Sequence, residues 1–200
     1  MTSSKREHFV HKKKNETEKY SPELLAKALF PLTMRMDPKT KAIGVPLDAL
    51  LKITDSHTLT RAIQLLEIQL KERGFELIAY TYEKKDYIAS RLKYPSFSSL
   101  TNKDYNVLAL VIYFIEAMKQ QNKKIKGIKR QELEEFCYKT EIEIKNYLKE
   151  RLSVLEAMGY LKKTSVRPIT YNYGPRLIVE IPKKVRTMIS EAIKNQLMMA

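Results

Sequence analysis

Twice along this chain the apolar positions pass from helical spacing to strand-like alternation in the same order. In "SPELLAKALF", Ser21 suits an N-cap, Pro22 the first helical position and Glu23 the positive helix end. A short extended piece, "AIGV", and a short helix, "PLDALLKIT", come next. Asp55 or Ser56 caps a longer helix in which Leu59, Ala62, Ile63, Leu66 and Leu70 recur at helical spacing, and Gly74 ends it. "FELIAYTYE" and "KDYIASR" are β-rich runs joined by charged residues, a hairpin pattern.

After the Pro/Ser-rich "KYPSFSSL" the order repeats. Thr101 or Asn102 caps a long helix with Val107, Val111, Phe114, Ile115 and Met118 on one face. Its run "VLALVIYFI" also reads as a strand, but it continues into "EAMKQ" without Gly or Pro, which favours helix. "KIKGI" is extended and "KRQELEEFCY" is a short helix. "TEIEIKNYLKERLSVLEAMGY" reads as one long helix, with Ile144, Leu148, Leu152 and Leu155 inward and Gly159 at its end. "LKKTSVRPITYNYGPRLIVEIP" reads as a hairpin, in which Ile169 and Tyr171 alternate with Thr170 and Asn172. A last helix is predicted to turn Val185, Met188, Ile189, Ala192, Ile193 and Leu197 inward. It is expected to pack on its own domain, the other possibility being a dimer or partner helix.

The expected fold is therefore α+β and mainly helical: two tandem winged-helix (helix-turn-helix) domains plus a C-terminal helix. The expected bounds are a basic, disordered or extended tail at 1–20, a first winged helix at 21–93, a linker at 94–100, a second winged helix at 101–182 and the C-terminal helix at 183–200.

The longest apolar run has nine residues, short of the roughly 20 that a spanning helix needs, and the N-terminus lacks a signal-type apolar core. A soluble, cytoplasmic protein without membrane association is expected. The net charge of +14 favours an acidic partner, with nucleic acid first.

That charge is not on the helices that would read a major groove. Residues 55–74 sum to zero and residues 141–158 to −1, with Glu132, Glu134 and Glu135 just before. It lies in "KQQNKKIKGIKR" (Lys119, Lys123, Lys124, Lys126, Lys129 and Arg130), in the second hairpin (Lys162, Lys163, Arg167 and Arg176) and in the tail. These ten residues are the candidate DNA contacts, suited to phosphates rather than base edges. A solvated lysine-rich surface is the plainer alternative.

No active site is legible. Cys137, the single cysteine, reads as a small buried apolar residue, and His8 and His11 lie in a basic tail without a thiol near them, where a metal site is not expected. Glu132, Glu134 and Glu135 have no histidine partner, and the five glycines form no phosphate loop. Tyr80, Tyr82, Tyr87, Tyr171 and Tyr173 on the hairpins read as sheet residues rather than base-stacking platforms. No enzyme, cofactor or metal is expected.

Three stretches carry a resemblance: "LKERGFELIAYTYEKKDYIAS" (Leu70–Ser90), "IKRQELEEF" (Ile128–Phe136) and "RPITYNYGP" (Arg167–Pro175). With the tandem layout across residues 22–182, the chain resembles the segregation and condensation protein B (ScpB) family, kite-type proteins that bind the kleisin of SMC complexes. The resemblance implies a non-enzymatic role in chromosome segregation and condensation, at the nucleoid. It also implies dimerisation through the first winged helix and a grip on a kleisin with the second. Excess basic charge would add a non-specific DNA contact. The alternative is a dimeric winged-helix transcriptional regulator.

Overall fold

The computed structural model describes residues 20–93, 100–121 and 127–199. The tail through residue 19, most of the expected linker, and Lys123, Lys124 and Lys126 lie outside the described residues. The protein is α+β and mainly helical, with eight α-helices and two three-stranded sheets among the described residues. They divide into two compact units, 20–36 with 43–93, and 37–42 with the residues from 100 onward. No described helix is long and apolar enough to cross a membrane.

The first unit runs α1 (Pro22–Leu32), β1 (Val45–Pro46), α2 (Leu47–Leu51), α3 (Ser56–Glu72), β2 (Phe75–Tyr82) and β3 (Lys85–Leu92). The Ser21 hydroxyl accepts from the Leu24 amide, and the Asp55 carboxylate accepts from the His57 and Thr58 amides. These caps satisfy donors that the helix cannot pair internally. Leu25, Ala26 and Leu29 of α1 pack on Leu59, Ala62, Leu66 and Leu70 of α3, with Ile88 of the sheet closing the core. The sheet order is β1-β3-β2, antiparallel throughout.

The second unit runs α4 (Asn102–Gln120), β4 (Ile128–Lys129), α5 (Arg130–Lys139), a 3-10 turn (Glu143–Asn146), α6 (Leu148–Ala157), β5 (Leu161–Val166), β6 (Ile169–Tyr173), α7 (Pro175–Glu180) and α8 (Lys183–Met199). A reciprocal Thr101–Asp104 capping box starts α4. α4 is buried on most sides, between α6 and α8, which explains the unbroken apolar run that blurred its period. The sheet order β4-β6-β5 repeats the first unit's arrangement, the short strand pairing with the last.

The repeat extends to single residues. Gly44 and Gly127 each precede the short strand, with φ of 91° and 112°. A Cβ on Gly44 would sit 2.1 Å from the Ile88 carbonyl oxygen, and one on Gly127 would sit 2.5 Å from that of Tyr171. Close backbone approach and left-handed φ both demand glycine there. Gly127→Ala is expected to lower stability by about 2–3 kcal/mol, measured as a shift in the urea midpoint.

Three sequence expectations are corrected. The helix drawn over "TEIEIKNYLKERLSVLEAMGY" is broken: Glu141 has φ of 54°, residues 143–146 form the 3-10 turn, and Tyr147 (φ −128°, ψ 1°) separates that turn from α6. The β-branched Ile142 and Ile144 weaken the α-helix, and Tyr147 is buried with its hydroxyl held by the Asn106 amide at 3.3 Å. The hairpin ends at Tyr173, because Pro175 opens α7 and puts Arg176 on a helix instead of a strand. A β-bulge between Lys163 and Ser165 also upsets the simple alternation, and Thr170 and Tyr171 are both buried.

The third correction is the register of α8. Met188 and Ala192 are exposed, whereas Arg186 and Ser190 are buried. The helix does pack on its own unit, along α4. What turns it is the buried Glu116 of α4, which needs a cation facing it.

Candidate functional site: two surfaces of the second unit

The Glu116 carboxylate is 2.6 Å from Lys119 Nζ, accepts from the Tyr173 hydroxyl at 2.7 Å and lies 4.0 Å from Arg186 Nε. Arg186 also donates to the Ile181 carbonyl at 2.6 Å. Both cations sit near the Tyr173 ring, at 4.4 Å for Lys119 and 5.1 Å for Arg186. Burial pushes the Glu116 carboxyl up, but the Lys119 and Tyr173 hydrogen bonds and the charges of Lys119 and Arg186 outweigh it and hold it below its ordinary value. Burial and the Glu116 carboxylate both push the Tyr173 phenol upward. The cluster joins α4, β6 and α8; Glu116, Tyr173 and Arg186 are buried, and Lys119 covers them from the half-exposed edge.

Seven of the ten candidate DNA residues are among the described residues. Lys119 is half-exposed and pairs with Glu116. Lys129 pairs with Glu132 at 3.3 Å, and Arg130 with Glu134 at 3.0 Å. Both cations thus meet an acid one helical turn later, a spacing that the sequence does carry. Arg176 pairs with Glu180 at 2.6 Å and covers the Tyr160 ring at 4.6 Å, while the Tyr160 hydroxyl donates to the same Glu180 carboxylate. On the β5–β6 hairpin, Lys162 is half-buried, and Lys163 and Arg167 are exposed. Its tip, Val166-Arg167-Pro168, projects into solvent, and Val166 is 69% exposed. β5 is an edge strand, where lysines and a bulge also discourage pairing with another chain.

The hairpin tyrosines are structural. The Tyr80 hydroxyl accepts from the Ile43 amide at 2.9 Å and donates to its carbonyl at 2.7 Å, and the ring stacks on Tyr87 at 5.4 Å. Burial pushes the Tyr80 and Tyr82 phenols up to about 12. Tyr171 and Tyr173 are buried as well, so none of the five presents a ring for a base to stack on. Cys137 is fully buried, and burial pushes its thiol up, away from the reactive thiolate.

The second surface was not foreseen from the sequence. A cleft of about 410 Å³ opens between α4, α5, the 3-10 turn and the last turns of α8. Phe136, Ile142, Ile144, Ile193 and Leu197 line it and are only half-buried. Its polar lining includes Asn106, Glu143 and Gln196, all exposed. The break in the predicted long helix is what swings Ile142 and Ile144 to this edge. Five large apolar side chains around one cleft, with a carboxylate beside them, suit an apolar segment carrying a basic residue. Lys145 and Asn146 of the 3-10 turn, with Lys149, Glu150 and Ser153 of α6, line a second, more open groove.

No protein-family model matches the chain, and no curated protein matches it.

Proposed function

We propose that this chain is a non-enzymatic, kite-like architectural subunit of an SMC complex, acting in chromosome segregation and condensation at the nucleoid. In this reading both units are winged helices. The repeated order of helix, short strand, helix, helix-forming segment and hairpin supports it, as does the shared sheet order. The observation that carries the partner half is the apolar cleft beneath the end of α8, the seat for an apolar segment of a kleisin. Homodimerisation through the first unit agrees with four large apolar side chains that are more than half exposed on it, Leu24 (55%), Leu51 (51%), Ile53 (52%) and Ile68 (58%). Leu197→Asp tests the seat. The variant is expected to melt within about 1 kcal/mol of wild type and to lose partner association; retained association would remove the cleft from the account.

DNA is held without base reading by the hairpin cations. A second reading, a winged-helix regulator, is favoured by Lys145, Asn146, Lys149 and Ser153 beside α6, residue types suited to base edges and phosphates. Gel shifts on random duplex and on upstream genomic DNA separate the two. The architectural subunit binds the two within about tenfold of each other, with steep salt dependence. A regulator prefers its site by at least ~1,000-fold.

A further inference from the structure

We infer that the hairpin tip Val166-Arg167-Pro168 enters the minor groove of duplex DNA and gives this protein a preference for A/T-rich sequence. The inference rests on the DNA contact proposed above and narrows it to one groove and one side chain. Residues 161–173 carry Lys162, Lys163 and Arg167 and no acid. Lys163 and Arg167 form no ion pair among the described residues, whereas Lys119, Lys129, Arg130 and Arg176 each hold a carboxylate. The tip therefore presents positive charge that no neighbouring acid offsets.

The tip is also apolar on both sides of its cation. Val166 is 69% exposed, and Pro168 is exposed. Folding gains little from holding these groups in water. They suit a groove about 6 Å wide, which admits a narrow turn but no helix. A narrow A/T minor groove concentrates negative potential and draws in arginine. Small apolar side chains beside it press on the sugar walls or wedge between base steps. Lys163, three residues back along β5, lies about 10 Å from the tip's first residue, within reach of a flanking phosphate. An A-form RNA duplex offers a wide, shallow minor groove and does not concentrate this contact.

The test is fluorescence anisotropy of the full chain on three duplexes of equal length: A/T-rich DNA, G/C-rich DNA and RNA. Wild type is expected to bind the A/T-rich duplex roughly 3- to 10-fold more tightly than the G/C-rich one. Prior loading of that duplex with netropsin, a minor-groove ligand, is expected to abolish the difference. Arg167→Lys keeps the charge and is expected to bring A/T affinity down to the G/C level. Lys163→Gln is expected to weaken both DNA duplexes equally. Thermal melts of both variants, with the changes on exposed residues, are expected to match wild type. Equal affinity for the two DNA duplexes, a preference that survives Arg167→Lys or netropsin, or tighter binding to RNA would overturn the inference and leave the proposed DNA contact standing. Binding to neither DNA duplex at low salt would overturn both.

Discussion

Glu116→Ala is expected to lower the unfolding free energy by about 3–5 kcal/mol, the usual cost of removing one partner from a buried ion pair. The carboxylate it removes is the shared acceptor for Lys119 and Tyr173 and the counter-charge of Arg186. Without it, a guanidinium that is only 11% exposed stays in the core with its counter-charge gone, while its hydrogen bond to the Ile181 carbonyl remains. Replacing both charges, as Glu116→Leu with Arg186→Met, is expected to recover most of the loss, because two apolar groups need no counter-ion. Equal loss in the single and double variants would show that shape, not charge, holds α8 on α4.

The same cluster sets a pH dependence. The Glu116 carboxyl is held below its ordinary value, so the unfolded chain binds the proton more readily than the folded one. Its contribution is present in full above the unfolded value, about 4.3, and is lost as pH falls through the lower folded value. Asp104 acts in the same direction. Burial raises its carboxyl, but hydrogen bonds from the Thr101 hydroxyl and amide, with the Arg151 guanidinium, more than reverse this. Urea midpoints are therefore expected to fall from about pH 5 downward, and less steeply in Glu116→Gln.

Lys163→Glu combined with Arg167→Glu is expected to cut DNA affinity at least ~10-fold at low salt and to lower the slope of log affinity against log salt by about 2. Two cationic contacts are removed, Lys163 at a phosphate and Arg167 in the groove, each displacing counterions worth about 0.9 in that slope. Arg176→Glu is expected to act elsewhere. It sets a like charge against Glu180 and uncovers the Tyr160 ring, so it lowers stability by about 1–2 kcal/mol and leaves the slope unchanged. A slope that falls by the same amount in Arg176→Glu would return that residue to the DNA surface.

What the sequence makes legible here is local. Ser21, Asp55 and Thr101 are caps whose side-chain chemistry acts within three residues, and each is a cap in the fold. The order of elements follows from such signals. Tertiary demands hid the rest. "RLIVE" has strand propensity, but Pro175 and the packing of Gly174 on Gly159 turn it into a helix; a Cβ on Gly174 would sit 2.2 Å from the Gly159 carbonyl oxygen. The apolar period of α8 pointed to Met188 and Ala192, because no sequence period reveals that Glu116, seventy residues earlier, must meet Arg186. The cleft depends on the break before α6 and on where α8 ends, so neither half of it announced the other.

The most direct measurement of the central claim is the composition of the complex that the full chain forms in its own cells. Affinity-tagged protein, purified at moderate salt and analysed by mass spectrometry, is expected to bring down a kleisin and an SMC ATPase in constant ratio. Leu197→Asp is expected to lose both while remaining folded. Recovery of the chain without either protein, or with one discrete DNA site at a preference of ~1,000-fold or more, would contradict the account.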